Sequence, residues 1–387
     1  MAQLIEARTA VEVNEQRCSG CSICSSLCPF EALRKEDSGK VVLQIDKCQV
    51  CGLCYSSCPA KAIDVLYYDL DSLTRYLEDA KQKYGSDTLL IACKGASPDF
   101  AQAERIFKLS TYIPLSVPCV GRIPEEVYLR ALGELGLKKI YVLGCDEDYC
   151  RFERGSAVSG RKVAVLNVVL SQLGLGEEVI TLERNSLKVK ADPDKCIRCG
   201  NCIFYCPYEA ATLGGTQPAS FNLELCRGCG ICVAVCPAEA LELENWERER
   251  LSGLIARLTS DMESPRILVF RCQWAAFPEL DDGLVPNVRI IDLPCAGRLD
   301  VGHVLEAFDQ GVEGVLVAAC PEEDCKMEKG SKGAQHRIEA LRKRLAEVGL
   351  GENLRFSFVA PRYPESFTEE LKQFRASLEG ASSGGQE

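Results

Sequence analysis

Residues 18–29 read CSGCSICSSLCP, so four cysteines are separated by two, two and three residues and the last one precedes a proline. The same run, Cys-x-x-Cys-x-x-Cys-x-x-x-Cys-Pro, returns at 48–59, 196–207 and 226–237. A secreted disulfide scaffold would be short and rich in cysteine along its whole length, whereas these cysteines are clustered at a regular spacing. The pattern therefore predicts metal-binding cysteines in a protein of a reducing compartment.

All 24 cysteines of the chain take part in an internal tandem repeat. The eight cysteines of the first two runs recur, offset by 178 residues and without a gap, in the last two runs. The other eight also match in order: Cys93, Cys119, Cys145 and Cys150 correspond to Cys272, Cys295, Cys320 and Cys325. Cysteines that served as scattered small hydrophobic residues would not show this regularity, so the chain consists of one unit written twice.

Length and charge limit the class of protein. The 387 residues are too many for one small core and suggest about two to four domains. The net charge of -11 argues against nucleic acid as the main partner, because a phosphate backbone attracts a basic surface. The first ten residues do not resemble a signal peptide, and no apolar run approaches the roughly 18 residues that span a bilayer. We therefore expect a soluble, cytoplasmic protein.

We predict four domains and a tail. They are a cysteine-rich module at 1–66, a cysteine-poor domain at 67–185, a second cysteine-rich module at 186–244, a second cysteine-poor domain at 245–378, and a disordered tail at 379–387. Each cysteine-poor domain opens on a polar, helix-favouring stretch, at 71–84 and at 245–262. Serine and glycine in the last residues indicate the disordered tail.

The spacing of the cysteine runs resembles that of bacterial ferredoxins, which hold two [4Fe–4S] clusters. In that family the last cysteine of one run serves the cluster of the other run. The resemblance implies α+β ferredoxin modules of the two-[4Fe–4S] type and four such clusters in the chain. The ligand sets that it implies are Cys18, Cys21, Cys24 and Cys58; Cys48, Cys51, Cys54 and Cys28; Cys196, Cys199, Cys202 and Cys236; and Cys226, Cys229, Cys232 and Cys206. Zinc is the alternative, but zinc ribbons do not place three cysteines at this spacing ahead of a fourth before proline.

In each cysteine-poor domain, short apolar runs end directly at a cysteine. The runs are 88–92, 113–118 and 139–144 before Cys93, Cys119 and Cys145, and 266–271, 288–294 and 314–319 before Cys272, Cys295 and Cys320. Helical patterns between them, at 125–135 and 301–308, indicate βαβ units and hence α/β parallel-sheet domains of the Rossmann or flavodoxin-like type. Ligands of such sheets lie beyond the carboxyl ends of the strands, where these cysteines would meet Cys150 or Cys325.

Four converging thiolates fit a [2Fe–2S] cluster. On spacing alone, three other interpretations stay open for these sites. They are buried free cysteines, a structural zinc ion, and a redox-active disulfide between Cys320 and Cys325.

The stretch from Arg266 to about Phe374 resembles the delta (iron–sulfur) subunit of the methyl-viologen-reducing hydrogenases of methanogens, a domain also fused to some heterodisulfide reductase A subunits. The matching segments are FRCQW at 270–274, LPCAGR at 293–298, LEAF at 305–308, GVEGVLV at 311–317, and Cys320 through Cys325. The first copy keeps CVGR at 119–122 and Cys145 through Cys150. The resemblance implies a [2Fe–2S] cluster in each α/β domain. Family members often carry a further cysteine where this chain has Ala275, so the implied ligand set has no spare member.

Arg122 and Arg298 each follow a predicted ligand by three residues. We interpret them as cofactor-binding cations that offset the charge of a cluster and favour its reduction. The other interpretation is a surface arginine paired with a carboxylate. His303 and His336 have no counterpart in the first copy, and we read them as ordinary surface or helix residues.

No catalytic site is indicated, because the sequence has no G-x-G-x-x-G after a predicted strand, no P-loop and no Cys-Cys-Gly run. Six predicted clusters without a site for organic chemistry point to an electron-transfer subunit. The resemblance implies a hetero-oligomeric, electron-bifurcating complex of an anaerobe. Its partners would be a flavin-containing, heterodisulfide reductase A-like protein and a partner oxidoreductase, such as a hydrogenase, a formate dehydrogenase, a benzoyl-CoA reductase-type enzyme or a ferredoxin.

Two alternatives are an iron–sulfur redox sensor and a free ferredoxin-like carrier. A sensor needs one cluster and a regulatory element, and a free carrier needs no additional α/β domains. Both therefore account for less of the sequence than a role in electron transfer within a complex.

Overall fold

The computed structural model describes residues 8–97, 99–277 and 287–383. The chain divides into two compact units, Met1–Ser186 and Leu187–Glu387. In each unit a cysteine-rich part precedes an α/β part. Among the described residues, no helix has the length and apolar character needed to cross a bilayer.

Short antiparallel ribbons and two short helices form the cysteine-rich part of the first unit. In chain order the elements are β1 (Val11–Val13), α1 (Ile23–Leu27), β2 (Leu33–Lys35), β3 (Val41–Leu43), a 3-10 turn (Ile45–Lys47), α2 (Leu53–Ser56) and β4 (Ile63–Val65). Strand β1 pairs with β4, and β2 pairs with β3. Each helix begins two residues after the second cysteine of a run, so the third cysteine lies on the helix.

A four-stranded parallel sheet with helices forms the rest of the first unit. Its elements are α3 (Leu70–Tyr84), β5 (Thr88–Cys93), α4 (Ala101–Phe107), β6 (Ile113–Val117), a 3-10 turn (Val120–Arg122), α5 (Glu125–Gly133), β7 (Lys139–Cys145), a 3-10 turn (Glu147–Tyr149), α6 (Gly155–Gln172) and β8 (Ile180–Asn185). The strands lie in the order β6-β5-β7-β8. Because β5 is an inner strand covered on both faces, its residues from Leu89 to Cys93 are all buried.

Helix α3 shows why the polar stretch predicted to be helical packs against the sheet. Its N-terminus is capped by the carboxylate of Asp69, which accepts from the backbone N–H groups of Asp71 and Ser72. The buried side chains Leu73, Leu77 and Ala80 recur at helical spacing and join the core of the α/β part. The polar residues between them face solvent, which gives the stretch its hydrophilic composition.

The second unit repeats the cysteine-rich part. Its elements are β9 (Val189–Ala191), α7 (Asn201–Tyr205), β10 (Ala211–Thr212), β11 (Ser220–Phe221), α8 (Ile231–Ala234) and β12 (Leu241–Leu243). Strand β9 pairs with β12 and β10 with β11, both antiparallel. Both units therefore contain ferredoxin-like ribbons and helices around the cysteine runs.

The second α/β part also has a parallel four-stranded sheet. Its elements are α9 (Arg248–Thr259), β13 (Ile267–Cys272), β14 (Val288–Leu293), a 3-10 turn (Ala296–Arg298), α10 (Val301–Asp309), β15 (Gly314–Ala319), a 3-10 turn (Glu322–Asp324), α11 (Gly330–Ala346), a 3-10 turn (Gly351–Asn353), β16 (Leu354–Phe358) and α12 (Glu365–Ser383). The strand order is β14-β13-β15-β16. The predicted parallel-sheet α/β regions are confirmed, and the ends of the six predicted strands agree to within a residue.

Several elements were not predicted from the sequence. They are the edge strands β8 and β16 and the long helices α6 and α11, which stand before them in the chain. Helix α12 continues to Ser383 and so extends into the stretch 379–387 that was predicted to be disordered. The last residues of that stretch, 384–387, lie outside the described residues.

Candidate metal centres

Every cysteine run bends its backbone into the left-handed region at the same three positions. These are the residue before the second cysteine, the residue after it, and the third residue after the last cysteine: Gly20, Val50, Arg198 and Gly228; Ser22, Gly52, Gly200 and Gly230; Glu31, Lys61, Glu209 and Glu239. Residues other than glycine adopt a positive φ at a cost in conformational energy. Turns of this kind direct successive N–H groups into a concavity that binds anions, including iron–sulfur centres.

In the first unit, the thiols of the cysteine-rich part gather into two groups. The first holds Cys18, Cys24 and Cys58, and the second holds Cys28, Cys48, Cys51 and Cys54. Burial, followed by the nearby thiols of its group, raises the pKa of Cys54. Cys21 is exposed on the loop that precedes Cys24. The last cysteine of each run therefore lies with the other run, as in the ligand sets stated above.

In the second unit, the corresponding thiols line two cavities. One cavity is lined by Cys196, Cys199, Cys202 and Cys236 among other residues. The other is lined by Cys206, Cys226, Cys229 and Cys232 among other residues. Each cavity thus brings together one of the predicted sets of four cysteines. Four thiols around one cavity form a donor set that fits an iron–sulfur cluster.

The other four thiols of the first unit meet at the carboxyl end of its sheet. Cys93 and Cys145 end the neighbouring strands β5 and β7, and their Sγ atoms are 3.4 Å apart. Cys119 follows β6 and is hydrogen-bonded to Cys150. This bond and the backbone N–H groups of the α6 N-terminus lower the pKa of Cys150 to about 6, against the effect of burial.

The second unit repeats this arrangement with one additional contact. Cys272 is hydrogen-bonded to Cys320, and Cys295 to Cys325. Cys320 also contacts Cys325 and so connects the two pairs. The hydrogen bonds from Cys295 and Cys320 lower the pKa of Cys325. All eight of these thiols are free, so neither Cys320 nor Cys325 is in a disulfide.

Within the described ranges, no three His, Cys, Asp or Glu side chains form a compact shell for a single metal ion. At the end of the first sheet, the Sγ atoms of Cys93 and Cys145 are 3.4 Å apart. A close pair of thiols is compatible both with one iron of a binuclear cluster and with zinc, in which all four thiolates bind one ion.

Two glycines that the sequence analysis did not single out allow the long helices to reach these thiols. A Cβ atom on Gly155 would lie 2.1 Å from Cys119 Sγ, and one on Gly330 would lie 2.2 Å from Cys295 Sγ. Gly155 and Gly330 begin α6 and α11. Their offset of 175 residues equals that of Cys145 and Cys320, which is the sequence signal that could have identified them.

Arg122 and Arg298 are both fully buried, so the interpretation as surface arginines is wrong. Arg122 donates to the carbonyl oxygens of Val50 and Tyr67, and Val50 belongs to a cysteine run. Arg298 donates through Nε and Nη2 to the carbonyl oxygen of Trp246, at 3.1 and 2.8 Å.

The charge of Arg122 is placed between two thiol groups. Burial lowers its pKa, whereas the nearby groups of Tyr68, Cys51, Cys119 and Cys54 raise it. The cation therefore lies close both to a thiol group of the cysteine-rich part and to the group at the end of the sheet. Burial lowers the pKa of Arg298 to about 10, so this side chain also stays charged at neutral pH.

The sequence analysis assigned no role to a second pair of cations, the buried Lys162 and the half-buried Arg337. Lys162 Nζ donates to the carbonyl oxygens of Gly121 and Ile123, at 3.3 and 3.0 Å. Arg337, its counterpart in the second unit, donates to the carbonyl oxygens of Gly297 and Leu299, at 2.8 and 3.1 Å. Both cations thus hold the turn that follows the second cysteine of the sheet-end group. Lys162 and Arg337 are separated by 175 residues, as are Cys145 and Cys320, and this shared offset is the sequence signal that could have identified them.

Within each unit, a thiol of the cysteine-rich part lies near a thiol of the α/β part. In the second unit, Cys229 of the cysteine-rich part and Cys295 of the α/β part share one apolar cluster with Ile231 and Met327. In the first unit, the proximity of Cys51 contributes to the raised pKa of Cys119, after the larger effects of Cys150 and burial. The same pair of positions is therefore adjacent in both units.

Comparisons with known proteins find two kinds of domain in the chain. The model of the 4Fe–4S dicluster domain matches residues 17–63 and 189–243. The model of the methyl-viologen-reducing hydrogenase delta subunit matches residues 90–198 and 267–381. These two matches include the strands of both parallel sheets, and the first extends to residue 198, within the third cysteine run.

The chain is similar to two kinds of curated protein. It is 29% identical over 320 residues to the A subunit of the ferredoxin:CoB-CoM heterodisulfide reductase of Methanosarcina mazei, a match of 81% of this chain and 36% of that protein. The A subunit of the ferredoxin/F(420)H(2)-dependent CoB-CoM heterodisulfide reductase of Methanosarcina acetivorans is 31% identical over 252 residues, 62% of this chain and 30% of that protein. The chain thus spans about a third of the length of these relatives.

The second kind of relative is shorter. The iron–sulfur D subunit of the F420-non-reducing hydrogenase of Archaeoglobus profundus is 28% identical over 126 residues, which is 31% of this chain and 92% of that protein. The delta-subunit model matches more than half of the residues of this chain. The chain therefore belongs to the family of the methyl-viologen-reducing hydrogenase delta subunit.

Proposed function

We propose that this chain is a non-catalytic electron-transfer subunit that binds four [4Fe–4S] and two [2Fe–2S] clusters and passes single electrons between partner proteins. A bound cluster supplies a one-electron redox couple. The residues of the chain hold the cluster, exclude water from it and tune its potential. We further propose that the chain arose as a tandem duplication, with domains at 1–66, 67–185, 186–244 and 245–378.

The proposed [4Fe–4S] ligands are the sixteen cysteines of the four runs, in the crossed sets given above. Support comes from the two cavities of the second unit, each lined by one complete set. The left-handed positions repeated in all four runs provide further support, because N–H groups directed at a cluster stabilise its negative charge.

The proposed [2Fe–2S] ligands are Cys93, Cys119, Cys145 and Cys150, and Cys272, Cys295, Cys320 and Cys325. Support comes from the pairing of their thiols, which is the same in both units. Cysteines from the ends of two neighbouring strands form one pair, and the cysteine after the third strand pairs with the last cysteine. A binuclear cluster requires two thiolates on each iron, and these pairs meet that requirement.

The observation that carries the proposal is that Cys229 and Cys295 belong to one small buried apolar cluster. This cluster brings a proposed [4Fe–4S] site next to a proposed [2Fe–2S] site. Cys202, a member of the remaining ligand set, contributes to the raised pKa of Cys232, after the larger effects of burial and of the thiols of its own set. The three proposed sites of the unit therefore follow one another. An uninterrupted row of sites is what a protein that relays electrons requires, and a structural metal would need no such row.

We propose a flavin-containing, heterodisulfide reductase A-like protein as one partner, and a hydrogenase, a formate dehydrogenase, a benzoyl-CoA reductase-type enzyme or a ferredoxin as the other. Support comes from the relatives, whose names place them in a ferredoxin-linked heterodisulfide reductase and in a hydrogenase. In such a complex of a cytoplasmic, anaerobic system, any electron-bifurcating flavin would belong to the partner.

The first test is the metal content of the full chain purified without oxygen. We expect about 20 iron and 20 acid-labile sulfide per chain and no zinc, because each [4Fe–4S] cluster contributes four of each and each [2Fe–2S] cluster two. About 16 iron with two zinc ions would mean that the α/β sites are structural, and the proposed row would end at the [4Fe–4S] sites.

A second measurement separates the two kinds of site. The double variant Cys272→Ser and Cys295→Ser should lose about two iron per chain and one of the two [2Fe–2S] signals in electron paramagnetic resonance. The matched variant Cys93→Ser and Cys119→Ser should lose the other signal. An unchanged spectrum in both variants would contradict the assignment of these cysteines.

A further inference from the structure

The third cysteine run exposes large apolar side chains to solvent. Ile197, Ile203, Phe204 and Tyr205 are 65%, 37%, 80% and 41% exposed. All four belong to the run 196–206, which supplies three of the four thiols around one cavity, and Cys199 of that run is itself exposed. We call these four side chains the apolar rim. They flank the most open thiol of the group.

The first unit provides an internal comparison. At the positions that match Ile197, Ile203 and Phe204, the first run has Ser19, Ser25 and Ser26. Both runs form the same helix and turn, and Cys21 is exposed as Cys199 is. A requirement of the fold would act on both runs, so the folding of the run does not explain the rim. Exposed apolar side chains grouped around one feature are a mark of an interaction surface.

The size of the rim indicates what kind of partner covers it. With the exposures given above, the four side chains present roughly 400 Å² to solvent. Stable complexes bury about 800 Å² on each partner, whereas transient redox encounters fall below that size. The rim is therefore suited to a short-lived complex, and it is too small on its own for a permanent partner or a stable dimer.

We propose that the apolar rim is the docking surface for a diffusible one-electron carrier protein whose own cofactor lies within an apolar face. This inference rests on the proposed function, since it assigns a partner to one of its sites. One electron leaves the reduced carrier and enters the site of Cys196, Cys199, Cys202 and Cys236. The carrier is oxidised by one electron and the site is reduced by one, and no bond is formed or broken.

The net charge of the chain does not favour the approach of an acidic carrier. The chain carries a net charge of -11, and an acidic carrier is repelled by it at low salt. Apolar contact at the rim does not depend on opposite charge. We therefore expect the rate of transfer from an acidic carrier to stay level or rise with added salt, whereas a complex guided by opposite charges would slow down.

The test compares two probes by stopped-flow under anaerobic conditions. The first is a dithionite-reduced bacterial two-[4Fe–4S] ferredoxin, and the second is reduced methyl viologen, a small dye that needs no docking surface. In the variant I197S/F204S, which introduces the serines of the first run, the ferredoxin rate constant should fall at least about tenfold because burial of a large apolar side chain is lost. The methyl viologen rate and the iron content should not change.

Two further variants control for damage to the site. F204L keeps an apolar side chain and should retain most of the ferredoxin rate. S19I/S26F adds the corresponding side chains to the first run and should raise the ferredoxin rate. A ferredoxin rate that is equal in all variants would overturn the proposal. A wild-type dimer that dissociates in I197S/F204S would also overturn it, because a second copy would then cover the rim.

The same data separate this inference from the proposed function. A wild-type chain that methyl viologen does not reduce would contradict the proposed function and the docking surface together. A chain that methyl viologen reduces, and that ferredoxin reduces equally fast with or without the rim, would overturn the docking surface alone.

Discussion

Ser331 Oγ lies 3.1 Å from Cys320 Sγ, whereas Ser156, its counterpart in the first unit, donates its hydroxyl to the backbone carbonyl of Cys145. Arg184 accounts for the difference, because its Nε donates to Ser156 Oγ over 3.2 Å. Strand register places Phe358 at the matching point of the second unit, so no such donor reaches Ser331 from that position. The two sheet-end sites therefore have cysteines at corresponding positions but differ in the hydrogen bonds around those cysteines.

This difference predicts unequal potentials for the two proposed [2Fe–2S] sites. A hydroxyl that donates to a ligand thiolate stabilises the more negative, reduced state, so its loss should lower the potential. We expect Ser331→Ala to lower one midpoint potential by about 50 mV, the equivalent of roughly 1 kcal/mol for one electron. Potentiometric titration followed by electron paramagnetic resonance measures this shift.

Ser156→Ala is the matched control in the same chain. Because Ser156 bonds a carbonyl, its removal should leave both potentials within experimental error. Equal shifts in the two variants would mean that the hydroxyls do not set the difference between the sites.

The close approach of α11 to Cys295 predicts that Gly330 tolerates no side chain. Gly330→Ala would place a Cβ atom 2.2 Å from Cys295 Sγ, and either the helix or the thiol must move. We expect a loss of about two iron per chain and of one [2Fe–2S] signal. Gly333→Ala makes the same substitution in the same helix, where the nearest contact of a Cβ atom is 3.5 Å away. That control should keep its iron and unfold at a slightly higher temperature, because alanine favours helix. Similar iron contents in the two variants would contradict the role of Gly330.

The buried cation between two thiol groups predicts a shift in potential when Arg122 is removed. Arg122→Leu deletes a positive charge next to Cys51 and Cys119, and it leaves the carbonyl oxygens of Val50 and Tyr67 without this donor. We expect at least one cluster potential of the first unit to fall by about 50 mV, and a lower unfolding temperature. Arg344→Leu removes the same charge from an exposed ion pair with Glu347 and should change neither. If the cluster potentials of Arg122→Leu were unaltered, the role of Arg122 would be structural only.

A buried ion pair holds the turn that carries Cys325. Arg362 Nη1 donates to Asp324 Oδ2, and both side chains are 7% exposed. Arg362→Met would leave the carboxylate buried without this partner, at a cost of roughly 3 to 5 kcal/mol in the free energy of unfolding. The double variant Arg362→Met and Asp324→Asn removes the buried charge as well and should be more stable than Arg362→Met alone. Thermal unfolding, with iron analysis of each variant, tests this order of stability. A double variant less stable than Arg362→Met would contradict the ion pair as the main contact of Asp324.

Local features of the fold were predictable from the sequence because they depend on neighbours in the chain. Strands such as Thr88–Cys93 and Gly314–Ala319 are continuous apolar runs, and helix Leu70–Tyr84 has an apolar stripe at helical spacing. The edge strand Ile180–Asn185 escaped prediction because a strand with one open side carries polar residues, here Glu183 and Arg184. Helix Gly155–Gln172 was missed because apolar side chains occur all around it, which hides its period.

The sequence by itself determined how many thiols the chain has, their spacing, and the repetition of twelve of them in each half. Those properties are covalent and local. The tertiary structure decided that the last cysteine of a run lies with the other run, that Arg122 and Arg298 are buried, and that Gly155 and Gly330 bring helices onto thiols. It also decided that Ser331 reaches a thiol while Ser156 does not. These are contacts between residues far apart in the chain, and packing and strand register select them without leaving a local pattern.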